Sequence, residues 1–154
     1  MKQQERELLL KDLCARIPYG VKILHQGWNY EWDDELSTLE RVTGIDEKFI
    51  YTKVINDNGE ESSDRHIISL LDDKPYLFPL SSMTEEQKEE IEDKLTFPNN
   101  SDGGWIEILY NNKYDIPFWF VDFCNKNHFD YRGLIEKSLA LDATGLNIYK
   151  EKQP

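Results

Sequence analysis

The sequence predicts a single α+β domain over residues 1–154, with an N-terminal helix, a small curled antiparallel sheet and packed C-terminal helices. A chain of 154 residues is about the length of one domain. Short apolar stretches separated by turn residues fill about 19–80, which is typical of a sheet. Apolar residues at helical spacing mark the N-terminal segment and much of 84–150, which is typical of helices.

The first predicted element is a helix in the segment QQERELLLKDLCARI. Leu9, Leu13 and Ile17 recur every four residues and give this helix one apolar face. Pro18 disfavours helical backbone at the residue before it, so we expect the helix to end at Ile17. Tyr19 and Gly20 then turn the chain towards the first strand.

Strand-like stretches follow this helix. Two of them, 36–43 and 48–55, are separated by a short connection, and this spacing predicts an antiparallel hairpin. The sequence NDNG at 56–59 is a turn signal. The strand count supports a small curled sheet more than it supports an SH3-like barrel. The other strand-like stretches of the sheet are 21–25 and 66–71. After 66–71 we expect an Asp-Asp-Lys-Pro turn, followed by the segment YLFPL.

Three aromatic residues, Trp28, Tyr30 and Trp32, alternate along the segment GWNYEWDDE. Residues two positions apart in a strand point to the same side, so the three rings would share one face. Aromatic residues at this period usually cover a core. On an exposed face they would stack on a base or a sugar, or anchor a protein, which makes them a candidate binding site.

The second half of the chain begins with a helix in SSMTEEQKEEIEDKL. Thr84 is its predicted N-cap, and Gln87, three residues further on, is the capping-box partner. Only Ile91 and Leu95 give the helix an apolar stripe, so we expect it to lie at the surface with its acidic residues solvated.

A loop is predicted at 97–104 and a strand at 105–110, the segment WIEILY. The segment FWFVDFCNKN then predicts a helix that is apolar nearly all round and therefore centrally buried. Asp115 is its expected N-cap, and Pro117 is tolerated in a first turn.

A polar cluster, NHFDYRGLI, follows this apolar helix, and Asn127 and His128 are expected to stop the helix. Asp130 is expected to cap a further short helix, accepting hydrogen bonds from backbone N–H groups two or three residues further on. Arg132 would pair with Asp130 or with another acid, and Tyr131 would pack on the preceding helix. Structural roles therefore account for the polar cluster, and His128, Asp130, Tyr131 and Arg132 are only weak candidates for a binding site.

The composition restricts the classes of partner and compartment. The net charge is −12, from 30 acids and 18 bases, which disfavours direct nucleic-acid binding because that needs clustered Lys and Arg. No apolar run approaches the roughly 20 residues of a membrane-spanning helix or resembles a signal peptide, so we expect a cytoplasmic protein without membrane contact. Cys14 and Cys124 are expected to be two buried thiols in a reducing compartment, although the sequence leaves a disulfide between them open.

Motifs that carry chemistry are weak in this chain. The histidines lack the paired spacing of a zinc-binding helix, and neither a nucleophile elbow nor a glycine-rich phosphate loop occurs. Asp64 with His66, and His128 with Asp130, are acid–histidine pairs that would serve a metal or hydrolase site if other groups converged on them. We therefore predict no catalytic residue, no metal and no cofactor.

Three segments, KDLCARIPYGVKI at 11–23, KPYLFPLSSMTEEQK at 74–88 and NHFDYRGLIEKSLALDA at 127–143, carry a resemblance to a known family. The chain resembles small proteins encoded by phages, prophages and related mobile elements of Bacteroides-type gut bacteria. The three segments cover about a third of the chain in that order. Relative to the family pattern, 99–115 and GWNYEWDDE look like extra material. The family has no established activity, so the resemblance implies a context and no mechanism.

The sequence thus predicts a non-enzymatic accessory protein of a phage or mobile element that acts in a bacterial host cell by binding another protein. An acidic inhibitor that imitates nucleic acid and blocks a host DNA-binding or defence protein is the first alternative, because the net charge is strongly negative. The second alternative is a small hydrolase or metalloenzyme that uses His66 or His128 with Asp64 or Asp130.

Overall fold

The structure, a computed structural model, describes residues 1–29, 31, 33–69, 73–94 and 116–150, and of Trp28 and Asn29 it describes the backbone alone. The predicted loop at 97–104, the predicted strand at 105–110 and the predicted cap Asp115 lie outside the described residues. The described elements, in chain order, are α1 (Gln3–Arg16), a 3₁₀ turn (Ile17–Tyr19), β1 (Lys22–Asn29), β2 (Asp34–Ile45), β3 (Phe49–Val54), β4 (His66–Ser69), β5 (Lys74–Leu77), a 3₁₀ turn (Leu80–Ser82), α2 (Glu85–Lys94), α3 (Phe118–Lys126) and β6 (Leu141–Asp142).

The strands form one open sheet in the order β4-β3-β2-β1-β5-β6. β1 to β4 are joined as successive antiparallel neighbours, and β5 pairs with the other side of β1. The α+β class and the predicted hairpin are therefore confirmed; in that hairpin Val42 lies opposite Thr52. The sheet is only mostly antiparallel, because β6 runs parallel to β5. The SH3-like form stays a prediction.

Helix α1 covers part of one face of the sheet, as its apolar periodicity predicts. Leu9 and Leu13 are almost completely buried, and each such leucine contributes about 1.5–3 kcal/mol through the area that it removes from water. The helix ends at Arg16, where a 3₁₀ turn containing Pro18 (Ile17–Tyr19) takes over, and Gly20 follows with φ +71°. The sheet residues of this cluster are Val21, Ile23, Val42, Ile50 and Ile68.

A second cluster joins α2, α3 and the 3₁₀ turn before α2. Ile91 is the buried residue of α2, and the other faces of that helix are largely exposed, as predicted. The predicted capping box is confirmed: the Thr84 N–H donates to Gln87 Oε1 at 3.0 Å, and the Gln87 N–H donates to Thr84 Oγ1 at 3.2 Å. The buried members of the cluster are Leu80, Met83, Ile91, Phe120, Phe123, Cys124 and Phe129.

Four local predictions are wrong. Cys14 is exposed, because it lies beside the buried Leu9–Leu13 face of α1 and not on it; both cysteines are free thiols. Lys74 and Pro75 belong to β5 and pair with β1, where a turn was predicted. Phe118, the first residue of α3, is 85% exposed although the helix was expected to be buried all round. The segment 131–140 forms turns rather than a short helix.

Candidate functional site

The aromatic set predicted as a binding surface is only partly described. The backbone of Trp28 lies in β1 opposite Glu35, so the strand prediction is confirmed for that residue. Tyr30 and Trp32 lie outside the described residues. The prediction that the three rings share one exposed or buried face therefore stays a prediction.

The predicted polar cluster forms a buried corner after α3, and Asp130 organises it. Its two carboxylate oxygens accept hydrogen bonds from the backbone N–H groups of Leu134 at 2.9 Å and Ile135 at 2.8 Å. Asp130 binds backbone N–H groups as predicted, but the predicted cap of a short helix is wrong: the donors lie four and five residues further on, in a loop of turns. The Asp130 N–H also donates to the Phe78 carbonyl, which ties the corner to the chain after β5.

His128 lies two residues after the end of α3, has a left-handed backbone with φ +59°, and is 5% exposed. Its ring stacks on the Tyr149 ring with centroids 3.7 Å apart and planes 15° from parallel. Burial and the nearby Arg16 charge lower the pKa of His128 to about 3, although a hydrogen bond to the Tyr19 backbone opposes this. His128 is therefore a neutral ring at physiological pH, and its Nδ1 has no hydrogen-bond partner in the described part of the chain.

Arg16 connects α1 to this corner, and sequence reasoning missed it. The guanidinium donates to both carboxylate oxygens of Asp12, at 2.8 Å and 3.0 Å, and neither side chain is exposed. It also donates to the carbonyls of Cys124 at 3.1 Å and Phe129 at 2.8 Å. The spacing of four residues between acid and base was the available signal, since it is the spacing of a helical ion pair.

Tyr131 and Arg132 complete the same network. The guanidinium carbon of Arg132 lies 4.7 Å from the Tyr131 ring centroid, and that of Arg16 lies 5.7 Å from it. Arg132 Nε lies 3.2 Å from Asp12 Oδ1, so the acid that pairs with Arg132 is Asp12 and not Asp130. These contacts are buried or half-buried, and they hold α1 against the chain after α3. The structural interpretation of the predicted cluster is therefore the one that its contacts support.

Two histidine–carboxylate pairs lie on one face of the sheet, and sequence reasoning missed both. His25 Nδ1 lies 3.0 Å from Oδ2 of Asp73, which is 1% exposed. His66 Nδ1 lies 3.2 Å from Oε1 of Glu40, which is completely buried. The hydroxyls of Thr38 and Thr52 also donate to Glu40. His25 and Thr38 are directly opposite each other in the β1–β2 pair, which brings the two pairs onto the same face.

The electrostatics of this histidine face follow from burial. Desolvation raises the pKa of Asp73, the His25 hydrogen bond opposes that rise, and the Glu40 carboxylate adds to it. Such pairs orient imidazole rings and would support proton transfer if a substrate reached them. The residues of each pair lie 48 and 26 positions apart, so no local spacing could have revealed them. His66 is thus paired with Glu40 and not with the predicted Asp64.

A cleft of about 910 Å³ opens between the start of β1, the start of α2 and the C-terminal segment. His128 and Tyr149 form part of its wall. The Tyr149 hydroxyl donates to the Tyr76 carbonyl at 2.7 Å and accepts from the Lys22 N–H at 3.0 Å, which fixes this wall to the sheet. The charged residues that line the cleft are Lys22, Arg41, Glu61, Lys126 and Lys150; we call it the basic cleft.

An exposed apolar patch lies on the outer strands of the sheet. Ile67 in β4 is 64% exposed, and Phe49 in β3 is 42% exposed. Ile67 lies directly opposite Tyr51, and Phe49 lies two residues before Tyr51, so all three side chains are on the same face. Among the described strands, none pairs with the outer edge of β4. We call Phe49, Tyr51 and Ile67 the β4 patch.

The described residues contain neither a metal-binding cluster nor a membrane-spanning helix. Within 1–29, 31, 33–69, 73–94 and 116–150, no group of three or more His, Cys, Asp or Glu side chains could hold a metal ion. In the same ranges no helix is long and apolar enough to cross a membrane.

Comparison with known proteins finds no relative of this chain. No protein-family model, no curated protein and no solved structure matches the chain.

Proposed function

We propose that this is a non-enzymatic accessory protein that binds another protein through the β4 patch and the adjacent edge of the sheet. The observation that carries the proposal is the exposure of Ile67, 64%, on a strand whose outer edge has no partner among the described strands. Edge strands pair readily with an extended segment of another chain, and exposed apolar side chains beside them supply the specific contacts.

The sequence resemblance supplies the setting of this proposal, a phage or mobile element acting in the cytoplasm of a gut bacterial host. We include in this proposal that the outer strands of the sheet curl in an SH3-like manner. Such a curled sheet would present the same edge to a partner. The partner would contribute an extended apolar segment that lies along β4, with side chains against Phe49 and Ile67.

The test is a pull-down from lysate of a gut Bacteroides host with three tagged proteins: the natural chain, Ile67→Asp and Leu146→Asp. Leu146 is 53% exposed and lies outside the β4 patch, so it is the matched control. The proposal expects a stoichiometric partner that survives high salt and is lost only with Ile67→Asp. A partner that both variants retain, or that both lose, would contradict a site at the β4 patch.

Helix α2 favours a second candidate function, the acidic inhibitor that imitates nucleic acid. Six exposed carboxylates lie in this ten-residue helix, a denser arrangement than the scattered acids of the whole sequence suggest. Such a surface would bind a basic partner, and binding would weaken steeply with salt. The same pull-down separates the two functions, because this partner would be basic, lost at high salt and indifferent to Ile67→Asp. The carboxylates belong to Glu85, Glu86, Glu89, Glu90, Glu92 and Asp93.

The residues expected to serve the hydrolase alternative make other contacts in the structure. Asp130 binds two backbone N–H groups while His128 stacks on Tyr149, and His66 pairs with Glu40. An enzyme would now have to use the histidine face. Among the described residues, no group of three or more His, Cys, Asp or Glu side chains could hold a metal ion there, and we do not propose an activity for that face.

A further inference from the structure

The basic cleft concentrates positive charge in an acidic protein. Of the charged side chains that line it, four are cationic and one, Glu61, is anionic, whereas the whole chain carries −12. Arg41 and Glu61 form a two-point ion pair and largely neutralise each other. Lys22, Lys126 and Lys150 therefore supply the excess charge. A cleft with one sign of charge raises the local concentration of small ions of the opposite sign.

The three lysines are placed differently. Lys22 is half-buried, and its ammonium donates to the Ile148 carbonyl at 2.6 Å, which holds it beside the Tyr149 ring. An ammonium has three donors, so the other two remain for a ligand. Lys126, in the last turn of α3, and Lys150 are exposed at the rim and form no ion pair with the described residues. They are free to close over an anion that enters the cleft.

Neutral polar side chains complete the wall of the cleft. The capping residues Thr84 and Gln87 lie there, and their hydroxyl and amide groups can donate hydrogen bonds to a ligand. His128 is 95% buried in the wall, and its Nδ1 is without a hydrogen-bond partner in the described part of the chain. In the neutral ring this nitrogen is an acceptor, because the other ring nitrogen donates to the Tyr19 backbone. A ligand hydroxyl or amino group that donates to it would recover the cost of leaving it unpaired.

The size of the cleft restricts the ligand. A volume of about 910 Å³ lies at the upper end of the range for pockets that bind drug-sized molecules, and it far exceeds a single inorganic ion. A long polyanion would lie against the acidic remainder of the surface, including α2, and would be repelled there. A compact molecule with its charge at one end avoids that repulsion.

We propose that the basic cleft binds a small phosphate-bearing molecule of about nucleotide size, with Lys22, Lys126 and Lys150 contacting its phosphate groups. Phosphate oxygens accept several hydrogen bonds at once, and lysine is a frequent point-charge partner for them. This site is separate from the β4 patch and from the protein-binding function proposed for it.

The test is titration calorimetry of the full chain at low ionic strength with pyrophosphate, ADP, citrate and a short DNA duplex. The double variant Lys126→Gln, Lys150→Gln removes the rim charges, and Lys11→Gln, Lys48→Gln removes the same charge from exposed positions outside the cleft. The proposal expects ADP to bind more tightly than citrate and the rim variant to weaken it by about tenfold or more. The control variant should stay within about twofold of the natural chain.

Amide chemical shifts measured during the ADP titration locate the site independently of the variants. Shifts should concentrate at 126–129 and 143–145, both of which line the cleft. If citrate binds as tightly as ADP, the cleft does not select phosphate and the proposal is overturned. If the DNA duplex binds more tightly than ADP, the ligand of the cleft is a nucleic acid and the proposed small molecule is wrong. Absence of ADP binding, or binding that the rim variant leaves unchanged, would also overturn the proposal. Melting temperatures of both variants show whether each is folded.

Discussion

Asp12 and Arg16 lie one helical turn apart in α1 and form a two-point ion pair that is completely shielded from solvent. Arg16 also donates to the carbonyls of Cys124 and Phe129, so this pair joins α1 to the end of α3 and to the corner that follows it. Removing one member of such a pair leaves the other charge buried without its partner, which costs far more than the pair itself contributes.

Asp12→Ala should therefore lower the free energy of unfolding by about 3–5 kcal/mol, because the Arg16 guanidinium keeps only its two carbonyl acceptors. Urea denaturation monitored by circular dichroism measures this loss. Glu90→Ala is the matched control, since Glu90 pairs with Lys94 at the same spacing on an exposed helix. Its removal should cost less than about 0.5 kcal/mol. Similar losses for the two variants would show that burial of Asp12 does not matter.

Asp130→Ala tests the corner. The substitution leaves the backbone N–H groups of Leu134 and Ile135 without acceptors in a buried place, so we expect a loss of about 2–4 kcal/mol in unfolding free energy. Asp46→Ala is the exposed counterpart, because Asp46 also accepts hydrogen bonds from two backbone N–H groups, those of Lys48 and Phe49, together with the Tyr51 hydroxyl. Water replaces the carboxylate at that turn, and the loss should be clearly smaller than for Asp130→Ala.

The elements that could be predicted from the sequence are those that local physics determines. The helix α1, its end before Pro18, the Thr84–Gln87 capping box and the β2–β3 hairpin all follow from spacing within a few residues, and the structure confirms them. The binding of backbone N–H groups by Asp130 was also predictable, because a carboxylate at a chain reversal commonly accepts hydrogen bonds from N–H groups further along the chain.

The features that sequence reasoning missed depend on contacts between distant parts of the chain. His25 and Asp73 lie 48 positions apart, too far for any local spacing to relate them, and the pair forms only because β5 returns beside β1. The exposure of Cys14 depends on how α1 is rotated against the sheet. Leu10 and Cys14 both lie beside the Leu9–Leu13 face, and the sequence does not show which of the two is covered. Arginine is usually exposed, so the sequence gives no reason to expect Arg16 to be buried. Its burial depends on the packing of α3, whose Cys124 carbonyl accepts a hydrogen bond from it.

His128 should make the protein sensitive to acid. Its pKa is about 3 in the folded chain and about 6.5 in the unfolded chain, so the unfolded state binds the extra proton between these values. The stability that the neutral ring contributes is present above the unfolded pKa and is lost as the pH falls towards the folded pKa. From about pH 7.5 to pH 5 this group should cost about 2 kcal/mol.

The variant His128→Asn isolates that contribution, because asparagine tolerates the left-handed backbone at this position and carries no titrating group. Urea denaturation of both proteins at the two pH values gives the comparison. The natural chain should lose about 2 kcal/mol more than the variant, since all other titrating groups are common to both. An equal loss would mean that His128 is protonated in the folded chain.

Gly27 has a packing role beside His25 that a double-mutant cycle can measure. A Cβ atom at Gly27 would lie 3.1 Å from His25 Nε2, closer than nearly all real contacts, while the ring is held on its other side by Asp73. Gly27→Ala gains about 0.4–1 kcal/mol by restricting the unfolded chain, and in the natural protein displacement of the ring should cancel that gain. In a His25→Ala background the same substitution should be stabilising. The coupling free energy between the two positions should be about 1 kcal/mol, and a value near zero would show that the His25 ring moves aside without cost.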